Sequence, residues 1–265
     1  MEGLYKLLQI MSSLRDPDGG CPWDQEQDFE SIAGYTLQEV YEVIDAIERN
    51  DMEDLCDELG DLLFHIVFYA QMASEEEYFD FTQVLNQLNQ KLERRHPHVF
   101  GDASIKSIRD QTRLWENLKR EERLENESEH NRSQSILDGI GPSLPAIMRA
   151  EKLQKRAAGV GFDWPDTVPV FTKIEEELDE LRNAVEDDES RANITEELGD
   201  LLFSCVNLAR HINVDSEMAL RKSNRKFEAR FHYIEQQIAA KGGKIEDFNL
   251  EELDSLWEQA KKRNI

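Results

Sequence analysis

Two groups of carboxylates, one in each half of the chain, have the spacing of a metal site. In the first half the members of each pair are three residues apart, Glu39 with Glu42 and Glu58 with Asp61. Residues three apart lie on one face of an α-helix. The midpoint between positions 39 and 61 is residue 50, and so is the midpoint between positions 42 and 58. Residue 50 belongs to the turn-like dipeptide Asn50-Asp51. The pattern predicts an antiparallel helix hairpin on which four carboxylates converge.

The second half repeats this arrangement. Glu177 with Asp200, and Glu180 with Glu197, are both centred between residues 188 and 189, inside the polar segment 187–190. Four clustered carboxylates repel one another unless a cation neutralises them, and oxygen ligands favour hard ions such as Mg²⁺, with Mn²⁺ as a substitute. Iron is disfavoured, because no histidine follows three residues after the leading glutamate of any pair. The alternative is that these acids form solvated helix faces.

A glycine lies beside the acids in each half, at Gly60 and Gly199. Glycine in the middle of a helix costs about 1 kcal/mol relative to alanine. Its presence in both copies permits a close approach of another backbone at these positions and favours the metal interpretation over solvated faces.

The two halves are copies of one unit. Residues 57–64 recur at 196–203 with seven of eight positions identical. Residues 121–140 open on a polar stretch without a periodic apolar face, so we predict a linker there. The predicted domains are therefore 1–120 and 141–265. Helical periodicity without a convincing alternating strand predicts an all-α fold, with each hairpin completed into a four-helix-bundle-like core by other helices or by a partner chain.

Overall charge restricts the partners. The 265 residues include 56 acidic and 31 basic side chains, for a net charge of −25, which argues against a nucleic-acid binder. No apolar run is long enough to span a membrane, and the N-terminus lacks the layout of a secretory signal. Three unpaired cysteines suit a reducing compartment, and we expect a cytoplasmic protein without membrane contact.

One segment has the opposite charge. Residues 221–230 contain five basic side chains and one acidic side chain, and Lys222, Lys226 and Arg230 share one helical stripe that could bind phosphates. Lys173 lies one turn before Glu177 and could reach the same ligand. The alternative for all four residues is a basic surface paired with neighbouring acids.

Two tryptophans at matching positions, Trp115 and Trp257, could stack on a nucleobase, since any base offers an aromatic face. Core packing is the competing role. The three cysteines and six histidines show no ligand spacing, and we interpret them as structural.

These motifs, together with the segment Cys21-Pro22-Trp23-Asp24, resemble MazG nucleoside triphosphate pyrophosphohydrolases over nearly the whole chain. The family motif is Glu-Glu-x-x-Glu, a gap and Glu-x-x-Asp. The second copy matches it from Glu176 onward, whereas the first copy has Gln38 in place of the first glutamate. Glutamine cannot act as a carboxylate base, so we expect the second copy to be the main hydrolytic site.

The resemblance implies an all-α, usually dimeric enzyme that uses Mg²⁺ to convert nucleoside triphosphates such as ATP into monophosphate and pyrophosphate. It also implies roles for particular residues. Glu176 would position or deprotonate the attacking water. Metal ligands would be Glu177, Glu180, Glu197 and Asp200, with Glu39, Glu42, Glu58 and Asp61 as their first-copy counterparts; nucleotide contacts would be Lys173, Lys222, Lys226, Arg230 and Trp257.

Two other functions stay open. A non-catalytic nucleotide-binding scaffold or regulatory module would bind without turnover, and a metal-only four-helix protein would bind metal without nucleotide. A carboxylate hairpin also exposes apolar surface that a second copy or chain must cover, so we expect a homodimer. Stacking predicts broad base tolerance in an enzyme of nucleotide-pool housekeeping or regulation.

Overall fold

A computed structural model describes residues 2–101 and 135–263, together with Ser107, Gln111, Leu114 and Leu118. The chain divides into two compact units, Met1–Glu129 and His130–Ile265. Most of the predicted linker, 121–140, lies outside the described residues, as does Trp115. The domain limits 1–120 and 141–265 therefore stay a prediction.

The described part of each unit is helical and contains no β-strand, which confirms the all-α prediction. None of its helices is long and apolar enough to cross a bilayer. The first unit contains α1 (Glu2–Leu14), α2 (Pro22–Glu26), α3 (Phe29–Arg49), α4 (Met52–Glu75), α5 (Phe81–Arg95) and α6 (Pro97–Phe100). The second contains α7 (Ala146–Ala158), α8 (Thr167–Glu186), α9 (Arg191–His211), α10 (Ser216–Ala239), a 3-10 turn (Ile245–Asp247) and α11 (Leu250–Lys262).

The first hairpin is formed by α3 and α4, and its turn falls at the predicted position. The carboxylate of Asp28 caps the start of α3 by accepting from the backbone N–H groups of Glu30 and Ser31. Asn50 ends the helix in the left-handed conformation with φ of 57°, which asparagine tolerates better than most residues. Asp51 then caps α4 by accepting from the backbone of Asp54. These local signals fix the register of the two helices.

The second hairpin, α8 with α9, is built in the same way. Asp166 caps α8, Ser190 caps α9, and Asp188 in the turn between them has φ of 51°. The turn therefore occupies the predicted polar segment, 187–190. It is two residues longer than the turn of the first hairpin. The longer turn accommodates the extra chain length between the carboxylate pairs of the second copy.

Other helices pack against one side of each hairpin. In the first unit, α1 and α5 pack on α4, and Met11, Ile32 and Phe68 form the centre of the core. In the second unit, α7 packs on α9, while α10 packs on α7 and α11. The core between α10 and α11 centres on Ile234, Ile238 and Leu256.

Candidate metal and nucleotide site

Three carboxylates meet on the second hairpin. Glu177 of α8 and Glu197 and Asp200 of α9 each offer an oxygen, and these oxygens lie within 4.8 Å of one another. Glu177 is 4% exposed, so its carboxylate is buried on one side of a helix that is otherwise largely polar. The predicted pairing of the two helices thus produces a compact acidic group.

Glu180 lies at the edge of this group, outside the set of three mutually close oxygens. Its charge still reaches Glu197. Loss of hydration raises the pKa of Glu197 above its ordinary value, and the negative charges of Glu180, Glu177 and Asp200 raise that pKa further. All four predicted carboxylates of the second copy are therefore electrostatically coupled, and a bound cation would relieve their repulsion.

Lys173 supplies a cation in the absence of metal. Its ammonium Nζ lies 2.7 Å from Oε1 of Glu176 and 2.7 Å from Oε1 of Glu177. Hydrogen bonds to Glu176 and Glu177 raise the pKa of Lys173 above its usual range, so the side chain stays charged. The structure thus brings the predicted Lys173 to the acidic group, and it pairs Glu176 with a lysine.

The basic stripe belongs to a different helix from the carboxylates. Lys222 and Lys226 are exposed on α10, a helix that packs mainly on α11 and α7 and touches α9. The guanidinium of Arg230 lies over the Trp257 ring, 5.4 Å from its centroid. The basic stripe therefore lies where α10 packs on α11, beside the α8 and α9 hairpin that carries the carboxylates.

Trp257 is partly buried and contributes to packing. Its ring lies 5.3 Å from the ring of Phe227 and packs against the core formed by Ile234, Ile238 and Leu256. The competing interpretation of Trp257 as a core residue is thus correct for part of its surface. Its contact with Arg230 nevertheless places a cation and an aromatic face together, as base and phosphate binding requires.

The first hairpin carries a similar group of three. Oxygens of Glu39, Glu42 and Glu58 lie within 4.8 Å of one another. The amide Nε2 of Gln38 donates to Oε1 of Glu42 at 3.0 Å. Loss of hydration and then the charge of Glu42 raise the pKa of both Glu39 and Glu58. Gln38 therefore supports the cluster through a hydrogen bond, whereas its counterpart Glu176 bears a charge.

Asp61 lies outside the three mutually close oxygens but raises the pKa of Glu39 through its charge. It also acts on His65, one turn further along α4, where burial lowers the pKa of the imidazole and Asp61 partly opposes that effect. Nε2 of His65 lies 3.7 Å from Oε1 of Glu39. This contact of His65 with Glu39 was not predicted from the sequence. The spacing of four residues between His65 and Asp61, which places both on one helix face, was the available signal.

The two glycines lie in open space within the described residues. A Cβ atom added at Gly60 or at Gly199 would meet no heavy atom within 4 Å outside its own helix. Neither glycine is therefore required for a contact among the described residues of its unit. Both leave bare backbone on a side of the hairpin that the described helices do not cover.

Both donor sets fit a divalent cation. Each combines three carboxylates on two rigid helices. Loss of hydration, and then the repulsion of neighbouring carboxylates, raises the pKa of Glu39 and Glu58 in the first group and of Glu197 in the second. Carboxylate oxygens are the ligands that hard divalent ions prefer. The second group adds a nearby lysine and a basic helix, which together suit a ligand bearing several phosphates.

Comparison with known proteins agrees with this chemistry. The model of the MazG nucleotide pyrophosphohydrolase domain matches residues 27–100 and 170–234. A protein of Escherichia coli (strain K12) named nucleoside triphosphate pyrophosphohydrolase is 51% identical, over 100% of this chain and 99% of its own. A protein of Thermotoga maritima named nucleoside triphosphate pyrophosphohydrolase/pyrophosphatase MazG is 44% identical, over 97% of this chain and 94% of its own.

Proposed function

Because the chain belongs to the MazG nucleotide pyrophosphohydrolase family, we propose that it hydrolyses nucleoside triphosphates to nucleoside monophosphate and pyrophosphate. The second unit is the main site. The observation that carries this assignment is the group of Glu177, Glu197 and Asp200, with their oxygens within 4.8 Å of one another and Lys173 at its edge.

In this proposal Glu177, Glu180, Glu197 and Asp200 hold Mg²⁺, which Mn²⁺ can replace. When bound, the ion links the triphosphate to an anionic protein and stabilises negative charge on the phosphate oxygens. With Mg²⁺ at the carboxylates, the ammonium of Lys173 would no longer be needed to neutralise Glu177. Lys173 can then turn toward a phosphate oxygen while keeping its contact with Glu176.

Glu176 is the proposed group that positions or deprotonates the attacking water. It lies one turn before Glu180 on α8, and its side chain is 53% exposed, so water reaches its carboxylate. Its pairing with Lys173 holds the carboxylate next to the metal ligands. A general base contributes only when it lies within hydrogen-bond reach of the water it activates.

The remaining phosphates and the base face α10 and α11. Lys222 and Lys226 extend from α10 as exposed cations, and Arg230 and Trp257 form a stacked pair beside them. We propose that the lysines and Arg230 hold phosphate oxygens and that the open side of Trp257 contacts the base. Since a stacked ring reads no hydrogen-bond pattern, base tolerance is broad, and ATP is one substrate among several.

We also propose a homodimer. The uncovered side of each hairpin exposes large apolar side chains. On the second hairpin Leu178, Leu198, Leu202 and Phe203 are each more than 40% exposed, and the bare backbone of Gly199 lies among them. A second copy would bury this surface and allow the helices to approach closely.

The cellular setting is part of the proposal. Cys21, Cys56 and Cys205 are free thiols, which suits the reducing cytoplasm. There the activity would serve housekeeping or regulation of the nucleotide pool. A non-catalytic nucleotide-binding module remains the competing function, and the presence or absence of turnover separates the two.

The test is to incubate the purified full chain with a panel of nucleoside triphosphates, with Mg²⁺ or with EDTA, and to separate the products by ion-exchange chromatography. We expect equal amounts of monophosphate and pyrophosphate, formed only with metal and with several bases. Diphosphate with inorganic phosphate would show that the wrong bond had been assigned. Binding without turnover would support the non-catalytic module.

A further inference from the structure

We propose that the first unit carries a mixed nitrogen and oxygen metal site, in which the imidazole of His65 joins the carboxylates of Glu39, Glu42 and Glu58. Such a site takes a borderline transition-metal ion, such as Co²⁺, in preference to Mg²⁺, and Mn²⁺ serves as the paramagnetic probe of its ligands. The inference rests on the fit of the first-unit carboxylates to a divalent cation, and it adds a ligand and an ion preference that the second unit lacks.

His65 is buried, with one ring nitrogen that lacks a hydrogen-bond partner and the other facing a carboxylate beyond hydrogen-bond distance. The residue is 6% exposed, and its buried Nδ1 atom has no hydrogen-bond partner. Its other nitrogen, Nε2, faces Oε1 of Glu39 at 3.7 Å, which is too long for a hydrogen bond. A buried polar side chain normally has a partner. An imidazole aimed at a carboxylate cluster without bonding to it is therefore a candidate ligand.

The separation of the two atoms fits a shared ion. Metal bonds to imidazole nitrogen and to carboxylate oxygen are both about 2.1 Å long, so two such ligands are about 3.0 Å apart at a right angle and about 3.6 Å apart at 120°. The observed distance between Nε2 of His65 and Oε1 of Glu39 is 3.7 Å. His65 lies outside the set of three mutually close oxygens, so its imidazole must shift toward the cluster for Nε2 and the carboxylates to share one ion.

The second unit lacks this nitrogen. The position that matches His65, offset by the same 139 residues that separate Asp61 from Asp200, is occupied by Ser204. Ser204 is buried at 8% exposure, and a neutral hydroxyl is a far weaker ligand than imidazole. The second group is thus an all-oxygen site. Imidazole favours transition ions whereas carboxylate suits Mg²⁺, so the two units differ in ion preference.

The experiment uses the full chain with the second site disabled by Glu177→Gln and Glu180→Gln. One equivalent of Mn²⁺ is added, and pulsed electron paramagnetic resonance detects nitrogen bound to the ion. We expect nitrogen modulation in this variant and its loss when His65→Gln is added. The matched control, Glu39→Gln with Glu42→Gln, leaves only the second site and should show Mn²⁺ with oxygen ligands alone.

Two further measurements keep the test independent of folding and of turnover. The His65→Gln addition should weaken Co²⁺ binding by at least about tenfold, the usual scale of perturbing a metal's ligand shell, and Mg²⁺ binding far less. The reverse substitution, Ser204→His, should introduce nitrogen modulation at the second site. Circular dichroism establishes that each variant is helical.

Mn²⁺ bound by oxygen alone in the variant that retains the first site would overturn the inference. So would modulation that survives His65→Gln, or the absence of any Mn²⁺ binding there. None of these readouts depends on hydrolysis. Failure of the His65 site would therefore leave the assignment of catalysis to the second unit intact, and failure of hydrolysis would leave the spectroscopic result valid.

Discussion

The two units share a hairpin and differ at the positions that surround its carboxylates. Each brings three carboxylate oxygens within 4.8 Å. Around the second group lie the charged Lys173 and Glu176, whereas Tyr35 and Gln38 occupy the matching positions of the first. The first group has His65 where the second has Ser204. The duplicated scaffold thus preserves a carboxylate cluster in both copies, and the residues around the cluster differ between the copies.

The largest expected difference between the units comes from matched substitutions of the proposed metal ligands. Glu177→Gln should lower kcat by about 10²- to 10³-fold, the scale of losing one group that stabilises transition-state charge. Glu39→Gln, at the matching position, should lower it by about twofold. Steady-state rates at saturating Mg²⁺ measure both. Equal losses in the two variants would mean that the units share the catalysis.

The residue before the first metal ligand gives the next largest effect. Glu176→Gln removes the proposed base and should lower kcat by about 10²-fold, the lower end of what general acid–base catalysis contributes. KM should change little. The reciprocal change, Gln38→Glu, restores the family motif in the first unit and should raise no activity alone, because Tyr35 still stands where Lys173 is needed. Unaltered turnover in Glu176→Gln would remove this residue from the mechanism.

An arginine in each unit ties the segment before the hairpin to the end of its second helix. In the first unit, Arg15, which directly follows α1, binds Glu75 at 2.7 Å and the carbonyl oxygen of Gln27 at 3.1 Å. In the second, Arg210 of α9 binds Asp163, which lies before α8. His211 also contacts Asp163 at 3.0 Å. Both units therefore link the segment before the hairpin to the end of the second hairpin helix. The arginine lies in the segment before the hairpin in the first unit and on the helix in the second unit.

Replacement of these arginines should affect stability more than activity. Arg15→Ala should cost about 2 kcal/mol of unfolding free energy, since it removes charged hydrogen bonds from a largely buried side chain. Arg210→Ala should cost less, because His211 still contacts Asp163. Arg49→Ala, which removes exposed ion pairs, is the control and should cost under about 1 kcal/mol. Urea titration followed by circular dichroism ranks the three; a larger loss in Arg210→Ala would contradict the account.

The smallest effect is a pH dependence common to both acidic groups. Glu39, Glu58 and Glu197 have folded-state pKa values above the ordinary 4.5. A carboxyl group with a raised folded-state pKa binds its proton more tightly in the folded protein, so metal-free stability falls as pH rises from about 4.5 through the raised values. Mg²⁺ should therefore raise Tm more at pH 7 than at pH 5. A metal-induced shift independent of pH would argue against carboxylate ligands.

Much of the architecture follows from local sequence signals. The spacing of the carboxylates about Asn50-Asp51, and about segment 187–190, predicted two hairpins with turns at those positions. Capping residues such as Asp28 and Ser190 reinforce the same register. These features depend on residues close in sequence, and helix geometry is sufficient to convert their spacing into position.

Features that depend on packing between helices were not predictable in the same way. His65 is isolated in sequence, and only the pairing of α3 with α4 brings it toward Glu39. The dual role of Trp257 depends on how α10 meets α11. Gly60 permits a close approach, but no heavy atom of the described residues outside its own helix lies within 4 Å of a Cβ atom placed there. Sequence spacing constrains one helix at a time, whereas these contacts require two.

The central claim is that the second unit performs the hydrolysis. The most direct measurement compares two full-length variants, Glu177→Gln with Glu180→Gln and Glu39→Gln with Glu42→Gln, with ATP and Mg²⁺ and with chromatographic separation of the products. We predict that the first double variant forms no monophosphate or pyrophosphate above the rate with EDTA, while the second forms both in equal amounts. Monophosphate and pyrophosphate from the first variant, at a rate near that of the unaltered chain, would contradict the account.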